Sequence, residues 1–213
     1  MKIKRICVFC GSSYGREKKY RKIAIQLGNI LVSKKIGLVY GGGDVGLMGT
    51  IANTVFDNGG RVIGIIPRHL AEQEVAHRGI SDLRIVNSMH ERKALMETLS
   101  DAFIAMPGGF GTIEEIFEAI TWAQLKLHSK PCGFLNINGF FDKLFDFINT
   151  VSTEGFIKKE YLNIMQIDSC PEKLFKKMDC YQPIKIDKAT CAIEEKFTHQ
   201  RHCRKRMKNL KRQ

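Results

Sequence analysis

Glycine and ionisable side chains are combined in the stretch Pro107–Glu115, whose sequence is PGGFGTIEE. Gly108, Gly109 and Gly111 let a ligand approach the backbone closely, and backbone amides at the start of a helix bind phosphate groups. Glu115 follows in the first turn of the predicted helix, where its carboxylate could serve a glycosidic bond next to that phosphate. The stretch therefore suits hydrolysis of a phosphorylated glycoside.

The same residues also have a purely structural interpretation. Thr112 at the N-cap and Glu115 three residues later have the spacing of a capping box. Such a box does not require Pro-Gly-Gly-x-Gly before it, so both interpretations of Glu115, cap and catalyst, stay open. The stretch lacks the Gly-Lys-Ser/Thr of a P-loop, which excludes hydrolysis of a nucleoside triphosphate by that device.

A second charged stretch, Ser88–Lys93, opens another predicted helix after a strand. Ser88 and Glu91 again have the spacing of a capping box. Arg92 and Lys93 lie one turn in, near the positive end of the helix dipole, where cations are slightly unfavourable. Their position suggests an anionic partner, either a phosphate or Glu115. The alternative is that both side chains are simply solvated, and the pair taken by itself favours that interpretation.

A third glycine-rich stretch, Tyr40–Gly49, joins a strand to a helix. Gly41, Gly43 and Gly46 satisfy the GxGxxG pattern, but Ile66–Arg68, about 20 residues later, contains no acid to hold a ribose hydroxyl. We therefore exclude NAD as a cofactor. Amides at this helix start also suit a phosphate, and a tight turn that needs positive φ angles is the structural alternative.

All three stretches depend on an alternation of strands and helices between residue 4 and about residue 180. The predicted strands cover residues 4–10, 36–40, 61–66, 83–87, 101–106, 132–137 and 164–167. The predicted helices cover residues 17–34, 47–58, 88–99, 112–127, 140–153 and 171–179. Several strands are continuous apolar runs, such as Ala102–Met106, which is typical of a sheet with both faces covered.

This alternation predicts an α/β, Rossmann-like fold with a parallel sheet flanked by helices on both faces. Ligands of such sheets bind beyond the carboxyl ends of the strands, which is where the three glycine-rich or charged stretches fall. We predict one domain, residues 1–180, followed by a basic C-terminal extension, residues 181–213.

The net charge of +12 comes mainly from that extension. Lys196–Gln213 has eight basic residues and no acidic one, whereas residues 1–195 have 26 basic and 22 acidic residues. Phe197 is the one aromatic residue of Lys196–Gln213, so we expect no nucleic-acid partner and predict a solvated, partly disordered extension. His199, His202 and Cys203 make a poor metal site, and we expect no bound metal.

The seven cysteines are an odd number without the compact pattern of a disulfide-rich secreted domain. We therefore predict free thiols and a cytoplasmic protein. Cys7 and Cys10 form a CxxC, but their apolar neighbours favour buried strand cysteines over a redox motif. No stretch approaches the roughly 20 apolar residues that cross a bilayer, so no membrane partner is expected.

Taken together, Pro107–Glu115 (PGGxGTxxE) and Met89–Lys93 resemble the motifs of the LOG ("Lonely guy") cytokinin-activating family, formerly mislabelled as lysine decarboxylases. The resemblance covers roughly residues 4–180, with 23 positions from Arg92 to Glu115. Four further stretches look like the same family: Cys10–Ser13, Tyr40–Gly46, Val75–Gly79 and Thr121–Leu125.

The resemblance implies a phosphoribohydrolase that cleaves the N-glycosidic bond of N6-substituted adenosine 5′-monophosphates without a cofactor. It implies Arg92 and Glu115 as the catalytic pair, and at least a homodimer, with Glu74 reaching across the interface. The nucleotide-binding residues that it implies are Ser12, Gly42, Gly43, Gly46, Glu74, Met89, Lys93, Gly108, Gly109, Phe110, Gly111, Thr112, Ile113, Glu114 and Thr121.

The chemistry agrees with these residue types, because cleavage of a ribosyl bond passes through an oxocarbenium-like state. Glu115 would stabilise that charge and activate water, and Arg92 would orient Glu115 and keep it ionised. A general AMP or purine nucleotide nucleosidase is one alternative. A non-catalytic carrier of an anionic ligand on the same fold, like the molybdenum-cofactor carriers, is another.

Overall fold

The computed structural model describes residues 3–73, 76–80 and 82–184. Seven strands lie within these ranges: β1 Arg5–Phe9, β2 Gly37–Tyr40, β3 Val62–Pro67, β4 Asp82–Val86, β5 Ala102–Ala105, β6 Cys132–Leu135 and β7 Met165–Asp168. Residues 1–183 belong to one compact unit.

Seven α-helices alternate with the strands: α1 Lys18–Ser33, α2 Gly46–Asp57, α3 Arg68–Gln73, α4 Met89–Leu99, α5 Phe110–Gln124, α6 Asp142–Thr153 and α7 Pro171–Asp179. Two 3-10 helices cover Ile137–Gly139 and Lys159–Ile164. None of the helices in the described ranges is long and apolar enough to cross a membrane.

The strands form a single parallel sheet in the order β4-β3-β2-β1-β5-β6-β7. The chain builds outward from β1 to β4 and then returns to the other side of β1 to place β5. The strand order thus reverses between β1 and β5, and their carboxyl ends open a crevice of the kind in which α/β folds bind ligands.

The alternation of side chains along β1 shows that helices cover both faces of the sheet. Ile6 and Val8 belong to the buried core that also contains Leu27 of α1 and Ile51 of α2. Phe9 points the other way, stacks on Phe103 of β5 with ring centroids 6.1 Å apart, and lines a small cavity with Met96 of α4 and Ala119 of α5. The α/β fold predicted from the sequence is confirmed.

The boundaries of the predicted elements agree to within two residues, except that α5 ends at Gln124 and not at 127. Helix α5 also begins at Phe110, not at 112. Helix α3 and the 3-10 helices Ile137–Gly139 and Lys159–Ile164 were not predicted, because none has more than six residues and each carries too short a periodic pattern.

The cysteine prediction is confirmed within the described residues. Cys7, Cys10 and Cys132 are buried and free, and Cys170 and Cys180 are also free. The predictions for the basic extension concern residues 181–213, of which residues 185–213, including the possible metal ligands, lie outside the described residues.

Candidate active site

Three chain segments meet at the carboxyl ends of β1 and β5, held together through Gly11. The Gly11 amide donates to the carbonyl of Pro107 at 3.1 Å, and the Gly11 carbonyl accepts from the amides of Leu47 and Met48 at 3.0 and 3.3 Å. A Cβ on Gly108 would lie 2.8 Å from the Gly11 nitrogen. The glycines of these loops are therefore required for their close packing.

The start of α5 differs from the predicted capping box. Gly109 is the N-cap residue and has no side chain that could accept from the first amides of the helix. Thr112 lies within the first turn with only 3% of its surface exposed. The capping-box interpretation of Thr112 and Glu115 is therefore wrong, since the glycines allow α5 to begin earlier.

The first turn of α5 is open to solvent. A Cβ added at Gly109 or Gly111 would meet no described atom within 4 Å, and Phe110 is 95% exposed. Because no side chain of Gly109 competes for the first amides, this helix start suits an anion.

The start of α2 has a different character. The amides of Leu47 and Met48 already donate to the Gly11 carbonyl, which argues against phosphate binding there. Gly42 and Gly46 have φ angles of +80° and +62°, values that glycine adopts at no steric cost. The tight-turn interpretation of this loop is thus confirmed.

Arg92 and Glu115 form an ion pair at the centre of this region. Nη1 of Arg92 lies 3.1 Å from Oε1 of Glu115, and each side chain is only 11% exposed. The Arg92 guanidinium also donates to the carbonyls of Ile65 and Gly41, at 3.1 and 3.5 Å, and lies 3.9 Å from Sδ of Met89. A Cβ at Gly41 would overlap this guanidinium.

The protonation of Glu115 is governed by opposing influences. Burial raises its pKa to about 7, while the positive charges of Arg92 and Lys93 lower the pKa and the negative charges of Glu114 and Glu118 raise it. Arg92 thus favours the carboxylate, as the sequence suggested, but burial outweighs it. Glu115 can therefore exchange a proton near neutral pH.

Lys93 bridges α4 to α5. Its Nζ lies 2.6 Å from Oε1 of Glu114 and 2.9 Å from Oε1 of Glu118. The hydrogen bond that Lys93 donates to Glu114, together with the one that it donates to Glu118, raises the Lys93 pKa. The interpretation of Arg92 and Lys93 as two solvated basic residues is wrong, because both side chains pair with carboxylates.

Glu118 belongs to this charged cluster, although the sequence analysis did not select it. The signal was available, because Glu118 lies four residues after Glu114, and such residues share a face of a helix. The PGGxGTxxE motif ends at Glu115 and therefore does not include Glu118, one turn later.

The predicted cap of α4 is confirmed. The Ser88 side chain accepts from the Glu91 amide at 3.1 Å. The Glu91 carboxylate in turn accepts from the Asn87 amide at 2.8 Å. Glu91 is therefore occupied at the helix start, and the two following residues, Arg92 and Lys93, project toward α5.

The remaining residues of the predicted site are distributed as follows. Ser12 is exposed, and its backbone packs against Gly46. Gly43 forms an isolated bridge with Ala76. Thr121 is exposed, and its hydroxyl donates to the Phe117 carbonyl of its own helix at 2.7 Å. Ile113 is half-buried, and Glu74 lies outside the described residues.

A small cavity borders Glu115 between α4 and α5. Its walls are mainly apolar, with charged groups at the edge: Phe9, Lys93, Met96, Glu97, Phe103, Glu115, Glu118, Ala119 and Trp122. Trp122 is the one tryptophan of the chain, so the tryptophan fluorescence comes from a residue that lines this cavity.

Comparison with known proteins identifies relatives of the whole folded region. Residues 48–178 match the family model described as "Possible lysine decarboxylase". The chain is 49% identical over 182 residues to a cytokinin riboside 5′-monophosphate phosphoribohydrolase of Arabidopsis thaliana, covering 85% of each sequence. It is 47% identical to an enzyme of the same name from Oryza sativa subsp. japonica, covering 85% of this chain and 75% of that one.

A solved structure shares the fold at lower similarity. The molybdenum cofactor binding protein of Rippkaea orientalis superposes with a TM-score of 0.63 at 23% identity, covering 84% of this chain and 98% of that one.

The raised pKa of Glu115 predicts a pH-dependent stability. Its pKa is about 7 when folded and 4.5 as the ordinary value, so between these values the folded state binds more protons and loses stability as pH rises. Glu115→Gln lacks this titration, so its free energy of unfolding minus that of wild type should increase as pH rises across this window, by up to about 3 kcal/mol in total. Denaturant unfolding at several pH values measures the difference, with the exposed Glu154→Gln as control. A difference that stays constant with pH would show that Glu115 titrates at its ordinary value.

Proposed function

This chain belongs to the family of cytokinin riboside 5′-monophosphate phosphoribohydrolases, the LOG family, and we propose that it catalyses their reaction. The reaction hydrolyses the N-glycosidic bond of an N6-substituted adenosine 5′-monophosphate to the free base and ribose 5-phosphate. We propose Arg92 and Glu115 as the catalytic pair. The observation that carries the assignment is their buried 3.1 Å ion pair.

Glu115 performs the chemistry of bond cleavage in this proposal. As the bond between C1′ and the base breaks, its electron pair moves to the base and positive charge develops on the ribose, which the carboxylate stabilises. Water then adds to C1′ and gives a proton to Glu115, and Glu115 passes a proton on to the departing base, which regenerates the carboxylate. A pKa of about 7 suits both directions of this transfer.

Arg92 keeps that carboxylate in place. Its contacts with the Ile65 and Gly41 carbonyls fix the guanidinium, and the guanidinium then orients Glu115. Since Arg92 also lowers the Glu115 pKa, it increases the fraction of carboxylate at neutral pH.

The open first turn of α5 receives the 5′-phosphate in this proposal. Amides of Gly109, Phe110 and Gly111 are on exposed residues at the positive end of the helix. Phosphate binding at a distance from the ribose positions C1′ for attack. Lys93 and Glu114 remain proposed nucleotide contacts, although their mutual ion pair has to loosen for Lys93 to reach a phosphate.

The test is release of free base by the purified protein without added metal. AMP and isopentenyl-AMP are compared as substrates, and the base is followed by chromatography. Wild type should release base, whereas Glu115→Gln should lose activity by at least about 100-fold, the range seen when a general acid–base group is removed. Glu154→Gln, an exposed carboxylate of the same type, should retain wild-type activity.

The outcomes separate the alternative functions. Faster release from isopentenyl-AMP supports cytokinin activation, and equal or faster release from AMP supports a general nucleotide nucleosidase. Tight nucleotide binding without release would support the carrier function. Retained turnover in folded Glu115→Gln would remove Glu115 from catalysis.

We also propose that the protein is a homodimer. Large apolar side chains are exposed at both ends of α5, with Phe110 at 95% at its start and Leu125 and Leu127 at 45% and 68% just after its end, and exposed apolar surface supports an interface with a second copy of the chain. Sedimentation equilibrium should give twice the chain mass of 24.2 kDa. A mass of one chain at micromolar concentration would contradict the proposal.

A cytoplasmic location also remains a proposal. It is supported by the five free thiols among the described residues, which are typical of proteins in reducing compartments.

A further inference from the structure

Three polar side chains, Asp44, Asn53 and His77, form a hydrogen-bonded network behind the loop Gly41–Gly46. Nε2 of His77 lies 2.8 Å from Oδ1 of Asn53, and Nδ2 of Asn53 donates to Oδ1 of Asp44 at 3.0 Å. His77 is only 4% exposed, and its Nε2 also lies 3.6 Å from Oδ1 of Asp44. A buried polar side chain of this kind needs a physical explanation.

The hydrogen bonds fix the tautomer of His77. Because Asn53 uses its Nδ2 to donate to Asp44, the Oδ1 of Asn53 is an acceptor, and Nε2 of His77 must carry the proton. Nδ1 is buried and has no hydrogen-bond partner among the described residues. His77 therefore donates through Nε2 to Asn53 of α2, and Asn53 in turn donates to Asp44 of the loop.

The backbone continues this attachment. The His77 amide donates to the Gly42 carbonyl at 3.0 Å, and Ala76 forms an isolated bridge with Gly43. The segment Ala76–Ile80 is thus fastened to the glycine loop by both main-chain and side-chain hydrogen bonds.

The opposite side of the same loop holds Arg92. The Gly41 carbonyl accepts from Nη2 of Arg92, and the guanidinium occupies the space that a Cβ at Gly41 would fill. A change in the position of Gly41–Asp44 would therefore move the guanidinium relative to Glu115. His77 and Arg92 contact different sides of one short stretch of backbone.

We propose that His77 is a positioning residue of the reaction. Through Asn53 and Asp44 it fixes the loop Gly41–Gly46, and that loop holds Arg92 in contact with Glu115. His77 does not touch the reacting atoms in this account. The kinetic consequence rests on the proposed function, whereas the effect on the ion pair does not.

The titration of Glu115 is the readout, because Arg92 lowers its pKa. The groups that face Glu115 are Arg92 and Lys93 from α4, Glu114 and Glu118 from α5, and the thiols Cys7 and Cys10 from β1 and its end. Of these, Arg92 donates a hydrogen bond to the glycine loop, at the Gly41 carbonyl. A looser Arg92 should thus raise the midpoint of Glu115.

The substrate-free experiment follows Trp122 fluorescence against pH, since Trp122 and Glu115 line the same cavity. Glu115→Gln identifies the transition that belongs to Glu115, and Arg92→Gln sets the full upward shift. His77→Leu and Asn53→Ala should each shift the midpoint upward by part of that amount. His77→Gln, whose amide can still donate to Asn53, should restore it. His69→Leu, at an exposed histidine, is the matched control.

An unchanged midpoint in both folded His77→Leu and folded Asn53→Ala would overturn the proposal. If His77→Leu does not fold, as judged by circular dichroism, Asn53→Ala and His77→Gln still decide it. A shift in His77→Gln as large as in His77→Leu would also contradict the role of the Nε2 donor.

The kinetic experiment measures base release from isopentenyl-AMP. His77→Leu should lower kcat by roughly 10- to 100-fold, the cost of misplacing a catalytic group by about an ångström, with a smaller change in KM. A change in KM with an unchanged kcat would contradict a positioning role. If wild type releases no base, the proposed function fails, while the fluorescence titration still tests the role of His77.

Discussion

The buried ion pair of Arg92 and Glu115 makes the strongest demand on the surrounding structure. Removing two opposite charges from water costs several kcal/mol for each ion unless both are fully paired. The protein meets this demand with carbonyl acceptors from Ile65 and Gly41, one at the end of β3 and one after β2. Gly41 must lack a side chain for the guanidinium to fit. The glycine loop thus supports the ion pair that we propose as the catalytic pair, a role separate from phosphate binding.

The sheet topology explains why these groups meet. The strand order reverses between β1 and β5, so the loop after β5, the loop after β1 and the start of α2 converge on Gly11. Helices α4 and α5 enter from the other face and bring Arg92 and Glu115 together across the crevice. The same fold serves a molybdenum cofactor binding protein, which shows that function lies in the side chains placed on it.

Much of this arrangement could be predicted from the sequence, and the exceptions have physical causes. Continuous apolar strands and amphipathic helices fixed the fold class, and two motifs identified Arg92 and Glu115. The spacing of Thr112 and Glu115 suggested a cap, because sequence cannot show that Gly109 is the N-cap and that the helix begins at Phe110, two residues earlier. The occupied amides of α2 depend on Gly11, over 30 residues away, and no local pattern reveals that contact. Burial, which raises the Glu115 pKa, is likewise a property of the assembled fold.

The pH dependence of kcat/KM for isopentenyl-AMP tests the central claim most directly, since it reports the protonation of groups in the free enzyme and substrate. If the carboxylate of Glu115 is the reactive form, kcat/KM should rise with pH and level off above its pKa of about 7. The phosphate of the nucleotide titrates near pH 6 and gives a lower transition of its own. Because Arg92 lowers the pKa of Glu115, Arg92→Gln should move the upper transition, which belongs to Glu115, to higher pH and leave the phosphate transition in place. A profile without a transition near pH 7, or one that falls through that range, would contradict the assignment of Glu115.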